Sequence, residues 1–244
     1  MFAFMSDLHL EMFPGFRVPK SDDACETLIL AGDIGDPASD EYLSFLEDCS
    51  MKFKDVFVIL GNHEHYGKNS CSETLECAKK AAAAAGVTLL HRSGYDLGEN
   101  LRIVGATLWS HVEDHAARDV QCFISDYRRI GGVHSVAQTN QMHAEDVAFL
   151  EGEIDRAEAR GIRLIVVTHH APLTVGTSHP RFSRLNSAFA TDLRHLVDRP
   201  GVAAWIFGHT HHSCDLGKVV SNQRGYVGED TGFDPAKTDR SWDN

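Results

Sequence analysis

The 244-residue sequence has no apolar run approaching the roughly 18 residues that a membrane-spanning helix requires, so no such helix is predicted. Its opening residues, Met1-Phe2-Ala3-Phe4-Met5, lack the basic start of a secretory signal and run into an acid at Asp7; they read better as a β-strand. Cysteine is sparse and unpatterned: Cys25, Cys49, Cys71, Cys77, Cys122 and Cys214 include no Cys-x-x-Cys pair. In a chain long enough to build its own core, this predicts reduced thiols and a cytoplasmic location rather than a disulfide framework. Basic side chains are in deficit, with 23 Lys and Arg against 35 Asp and Glu and a net charge of −12. That balance disfavours nucleic acid and anionic membranes as partners, because both select for a basic patch. It leaves room for an anionic small molecule wherever bound cations reverse the local field. Repeats, low-complexity blocks and Pro/Gly/Ser-rich linkers are also missing, and the expected organisation is one domain over residues 1–244. What the sequence has in excess is histidine, at fifteen residues.

Five short runs, residues 2–5, 28–31, 56–60, 164–167 and 203–207, are apolar nearly throughout. They have the length of strands and lack polar alternation, as expected for sheet strands covered on both faces. Residues 101–108 look like a sixth. Between them lie helical patterns. Ser39 caps a stretch with Tyr42, Leu43, Leu46 and Cys49 at helical spacing; a second helix covers residues 72–85 and stops at Gly86. A third spans residues 143–160 and stops at Gly161, and a fourth, residues 188–197, ends before Pro200. Alternation of this kind predicts an α/β layered fold. Residues 110–141 are polar and show no clear period, which marks them as a functional loop region or an insertion.

The informative feature is the chemistry placed directly after each apolar run: Asp7-Leu8-His9, then Gly32-Asp33, Gly61-Asn62-His63-Glu64-His65, Thr168-His169-His170, and Gly208-His209-Thr210-His211-His212. Two His-x-His pairs mean little alone in a chain so rich in histidine. Recurrence directly after strands is different, because ligands of open α/β sheets bind beyond the carboxyl ends of the strands. Three of the five blocks are introduced by glycine, which permits close approach of backbone to a ligand. Asp7, His9, Asp33, Asn62, His169, His209 and His211 are seven oxygen and nitrogen donors without a thiolate. They are too many for one tetrahedral ion and suit a pair of manganese, iron or zinc ions sharing a carboxylate.

Taken together, Asp7-x-His9, Gly32-Asp33, Gly61-Asn62-His63-Glu64, His169 and Gly208-His209-Thr210-His211 resemble, block by block and in order, the calcineurin-like metallophosphoesterase superfamily. The resemblance implies a four-layer αββα sandwich with a binuclear metal site at the C-terminal rim of the strands. It implies one ion held by Asp7, His9, Asp33 and His211, and another by Asp33, Asn62, His169 and His209, with Asp33 bridging. It further implies two divalent or mixed-valence ions and hydrolysis of a P–O ester by a hydroxide shared between them. His63 is the implied general acid or charge stabiliser at the leaving group. Asp36, three residues after the bridging Asp33, is the implied partner of His63. The expected substrate is a phosphorylated small molecule, monoester or diester. Asn222-Gln223-Arg224-Gly225-Tyr226 resembles a signature of small bacterial members, and Ser125-Asp126-Tyr127-Arg128-Arg129-Ile130 resembles a loop in some of them. Certain relatives keep the fold as a protein-binding scaffold after losing part of the catalytic set; here the seven donors and His63 are intact, which weighs against that alternative.

Around the motifs, Arg128, Arg129, Arg181, Arg184 and Arg224 are candidate phosphate contacts, since guanidinium matches phosphate oxygens bidentately. Phe182 and Trp109 either flank the cleft or pack in the core. His170, His212 and His65 read as groups that brace the ligands beside them, with lining the pocket the alternative for His65, and Cys214 as a small buried residue. Residues 229–244, polar around Phe233, either wrap the domain or hang free.

Overall fold

Strands without polar alternation need cover on both faces, and the chain supplies it with two stacked sheets and helices outside each. The computed structural model describes residues 1–19, 25–179 and 185–239. The first sheet contains β1 (Phe2–Met5), β2 (Thr27–Ala31), β3 (Asp55–Ile59) and β4 (Thr88–Leu89), all parallel, with β11 (Thr238–Asp239) antiparallel beside β1. The second runs in the order β5 (Ser93–Asp96), β6 (Leu101–Ala106), β7 (Arg163–Thr168), β8 (Val202–Phe207), β10 (Val219–Ser221), β9 (Asp215–Leu216), parallel through its centre and antiparallel at both edges.

Successive side chains of a strand point to opposite faces, and both faces here are apolar. Leu28 and Leu30 of β2 pack under helix α1 (Asp40–Lys52) with Tyr42, Phe45 and Leu46, while Ile29 and Ala31 face the second sheet. In β7, Leu164 and Val166 meet Leu150 and Ile154 of helix α5 (Val136–Arg160), whereas Ile165 and Val167 join the layer between the sheets. The architecture is α/β with two sheets between helical layers, as the resemblance implied. Each large apolar side chain so buried contributes about 1.5–3 kcal/mol.

The helix ends follow their caps. Ser39 accepts from the Tyr42 N–H at the start of α1, and α2 (Cys71–Ala85) starts at Ser70 and ends at left-handed Gly86. Helix α5 ends at Gly161 as expected but begins at Val136, seven residues earlier than its apolar spacing shows, because Ser135 caps the Gln138 N–H. Residues 110–141 are not irregular. They hold α3 (Ala117–Phe123), α4 (Asp126–Arg129) and the first turns of α5 around an apolar cluster of their own, including Trp109, Val120, Tyr127 and Ile130. Such short helices leave no readable period. The fourth expected helix shrinks to α6 (Arg194–Val197), because Phe189 and Thr191 spend their backbone groups on Ala171 instead.

As far as residue 239 the C-terminal segment wraps the first sheet; residues 240–244 lie outside the described residues. Asn222 donates to Phe4 O and Asp234 O and accepts from the Asp234 N–H, and Thr238 pairs with Ala3. Among the described residues, no helix is long and apolar enough to cross a membrane.

Candidate metal centre

Five of the seven donor residues beyond the strands share an unusual backbone. Asp7, His9, Asp33, His209 and His211 have φ of 54°, 49°, 53°, 71° and 49°, a region that costs a residue bearing a Cβ about 1–2 kcal/mol. Bonds that continue the ladders hold them there: the Asp7 N–H donates to Gly32 O (3.0 Å), the His9 N–H to Asp33 O (3.0 Å) and the Gly208 N–H to His169 O (2.9 Å). Strain of this kind persists where the surroundings over-determine a functional geometry. At Gly61 a side chain is impossible, since a Cβ would lie 2.2 Å from Asp33 Oδ1 and 2.7 Å from His169 Nε2.

The seven donors converge. Asp7, His9 and His211 form one cluster and Asp33, His169 and His209 another, each with donor atoms within 4.8 Å of one another. His211 Nε2 lies 3.1 Å from His9 Nε2 and 3.4 Å from Asp7 Oδ1. His169 Nε2 lies 3.3 Å from Asp33 Oδ2 and 3.1 Å from Asn62 Oδ1. Asp33 also groups with His9 and His63, so its carboxylate adjoins both clusters.

These residues fit a pair of cations. Asp7 and Asp33 are 0% and 1% exposed, yet among the described residues neither has a Lys or Arg partner. Buried carboxylates without such a partner require positive charge from elsewhere. Moreover, three imidazoles are fixed from behind. His211 Nδ1 lies 2.6 Å from Glu229 Oε2, His169 Nδ1 2.9 Å from Ala31 O, and His9 Nδ1 3.2 Å from Glu11 Oε1. Their Nε2 atoms all face the centre, the arrangement by which outer partners orient metal-ligating histidines.

Residues 1–213 match a protein family described as calcineurin-like phosphoesterase. The chain belongs to that family. It is similar, at 26% identity over 266 residues, to an uncharacterized protein of Acanthamoeba polyphaga mimivirus, with 95% of this chain and 93% of that one covered. Among solved structures, phosphopantetheinyl hydrolase from Mycobacterium tuberculosis aligns with a TM-score of 0.62 over 94% of this chain and 93% of its own, at 17% identity. That likeness is one of fold.

Around the two clusters, the structure adds side chains that motif reading missed. Asp126 Oδ1 accepts from Asn62 Nδ2 (2.9 Å) and from the Tyr66 hydroxyl, so the Asn62 amide must turn its oxygen toward His169. Glu64 is fully buried and accepts from the N–H groups of Asp33, Ile34 and Gly61, tying the β2 and β3 ends together. Asp126 lies in the Ser125–Ile130 segment singled out in the sequence, and Glu64 in the Asn62 block; Glu229 carried no signal. Asp126→Ala should weaken binding at the Asn62 cluster about 10–100-fold, the usual cost of losing such a partner. Asp126→Asn, which keeps an acceptor oxygen, should lose less; metal titration of the two variants checks the order.

Other expected residues fall elsewhere. Asp36 does not meet His63: its carboxylate pairs with Lys68 Nζ at 2.7 Å and accepts from the Ala38 N–H, while His63 Nδ1 faces Glu11 Oε1 at 3.1 Å. The Asp36 loop points at the Lys68 side of the turn instead. Arg128 donates to Cys122 O, and Arg224 donates to Leu8 O and lies over the Phe16 ring, so both are structural. Arg129 sits over the Tyr66 ring and lines the cleft, a cavity of about 250 Å³ bounded also by Ile124, Phe189 and Tyr226. Arg181, Phe182 and Arg184 lie outside the described residues. Trp109 is core, packed against His65 and His170; His170 also lies against the His209 ring, with centroids 4.0 Å apart. His212 offers its carbonyl to Ser221 and Gln223. Cys214 is half-buried and accepts from the Ser221 hydroxyl.

Without cations, protons balance the two carboxylates. Burial disfavours charge on His169, but Asp33 and Asp7 outweigh it and lift the ring to about 10; His211, buried beside Asp7 and Glu229, is lifted to about 9. Burial likewise works to raise the Asp33 carboxyl, yet His169 and His63 hold it well below the usual range. Ligation needs the neutral rings, so metal must displace these protons. Because both folded-state values lie above neutrality, the rings are charged below about pH 8, and apparent affinity should rise with pH through that range, about tenfold per unit for each proton displaced. Metal titration of the metal-free protein at points between about pH 6 and pH 8 measures the slope.

Proposed function

We propose that this chain hydrolyses a P–O ester bond of a phosphorylated small molecule, using two divalent or mixed-valence ions, with manganese, iron and zinc the metals its nitrogen and oxygen donors suit. The observation that carries the reading is the set of three imidazoles anchored at Nδ1 and converging at Nε2 beside two buried carboxylates that, among the described residues, have no Lys or Arg partner. Asp7, His9 and His211 would hold one ion, Asn62, His169 and His209 the other, and Asp33 both. When bound, the pair would supply Lewis acidity toward phosphoryl oxygens and lower the pKa of water toward neutrality.

The chain's own groups do the rest. His63 is set beside the cleft, with its backbone N–H donating to Asp33 Oδ1 (2.8 Å) and its Nε2 3.1 Å from the Tyr226 hydroxyl. It donates a proton to the departing oxygen. Asp33 and Glu11 outweigh burial and keep this ring more readily protonated than a free histidine. Arg129, exposed at the cleft wall and without an acidic partner among the described residues, contacts anionic oxygens of the substrate. Ile124 and Phe189 offer an apolar wall to the organic part. Such a cleft suits a small ester better than a nucleic-acid strand, in keeping with the acidic surface.

The test is a panel of phosphomonoesters, diesters and cyclic nucleotides with manganese, iron and zinc. Hydrolysis of at least one class that disappears on chelation and returns with metal is the expected result. Stoichiometric metal binding with no hydrolysis anywhere in the panel would favour a non-catalytic scaffold for protein interaction.

A further inference from the structure

We propose that Glu11 is a positioning residue of this centre: a single carboxylate oxygen holds the Nδ1 sides of both His9 and His63 and thereby fixes which ring nitrogen each presents to the reaction. The inference rests on the phosphoester-hydrolysis reading for its kinetic half only.

Glu11 Oε1 lies 3.2 Å from His9 Nδ1 and 3.1 Å from His63 Nδ1. The two rings are edge to face with centroids 4.4 Å apart, so one oxygen reaches both. The local chain explains how. After the left-handed turn at His9, the N–H groups of Met12 and Phe13 both donate to His9 O (2.9 and 2.8 Å), closing a tight turn. Leu10 is buried on one side of it, leaving Glu11, 23% exposed at its side chain, on the side of the rings.

A carboxylate that accepts from Nδ1–H leaves Nε2 as the working atom of a histidine. For His9, Nε2 then faces His211 Nε2 at 3.1 Å, inside the metal cluster. For His63, Nε2 faces the cleft and the Tyr226 hydroxyl. As an oxygen of water bonds to phosphorus, the ester P–O bond breaks and its electron pair passes to the leaving oxygen, which takes the Nε2 proton. The ring is left neutral, with Nδ1–H still on Glu11, the orienting logic of a histidine backed by a carboxylate. Asp36, the residue at the position from which the resemblance drew this partner, is held by Lys68.

The test uses Glu11→Ala and Glu11→Gln, the second preserving size and one acceptor oxygen. Zinc-loaded protein with ¹⁵N-labelled histidine keeps its NMR signals, because zinc is diamagnetic. Wild type is expected to show neutral His63 carrying its proton on Nδ1; Glu11→Ala is expected to lose that signature and Glu11→Gln to keep it. At saturating metal, kcat of Glu11→Ala on an alkyl phosphoester should fall about 10–100-fold with KM unchanged, with a much smaller loss on an aryl ester and partial recovery in Glu11→Gln. An unchanged His63 signature in Glu11→Ala, or equal kcat losses on the two esters, overturns the proposal. A wild-type protein that hydrolyses neither ester would sink the phosphoesterase reading instead, and the ring spectra would still decide the role of Glu11.

Discussion

Asp33→Asn is expected to lose at least one equivalent of bound metal and to lower ester hydrolysis by about a thousandfold or more, since a bound cation supplies several kcal/mol of charge stabilisation and each 1.4 kcal/mol is tenfold in rate. The choice of Asn matters. Asp33 sits at φ 53°, and Asn is one of the few side chains that tolerates this backbone. The amide is isosteric and its oxygen can still accept from the His63 N–H, so the turn between β2 and α1 should survive. What disappears is the negative charge that adjoins both clusters. The distinguishing measurement is thermal: added metal should raise the melting temperature of wild type strongly, because a ligand at a thousand times its Kd contributes about 4 kcal/mol. The variant should show most of that shift gone while melting cooperatively without metal. If Asp33→Asn bound two ions as tightly as wild type, the carboxylate would not be shared and the cation-pair reading would fail.

Much of this centre was legible because burial and chemistry alternate so sharply along the chain. Strands lying between two apolar layers cannot carry polar side chains, so the first polar residue after each run marks the rim. The ends of β1, β2, β3, β7 and β8 were visible for that reason. The capped helices were visible too, because Ser39, Gly86 and Gly161 are local signals that need no tertiary information. The groups that orient the donors were not. Glu11, Asp126 and Glu229 lie on turns and short segments without period, and each acts on a residue reached only through the fold: Asp126 is 64 positions from Asn62, and Glu11 is 52 from His63. Asp36 shows the opposite failure, where position in a motif implied a contact that a nearby lysine takes over. Edge strands of two or three residues, such as β4, β9 and β11, are too short to leave a pattern at all.

His63→Ala should separate metal binding from bond cleavage. The ring has both nitrogens engaged by protein groups, Nδ1 by Glu11 and Nε2 by the Tyr226 hydroxyl, which sets it apart from the rings whose Nε2 atoms converge on the clusters. The bond that His63 makes to Asp33 comes from its backbone N–H, and alanine retains that donor. Metal content should therefore stay at the wild-type level. Turnover of an alkyl ester, whose alkoxide cannot leave unprotonated, should fall about 10²–10⁴-fold, the range of a lost general acid. An aryl ester, whose leaving group departs as a stable phenolate, should lose far less, so the ratio of the two rates is the diagnostic quantity. Tenfold loss of metal with equal slowing on both esters would instead make His63 a ligand, a role that its proximity to His9 and Asp33 makes worth testing. The two outcomes move different quantities on the same sample, because an acid shapes leaving-group dependence and a ligand shapes occupancy.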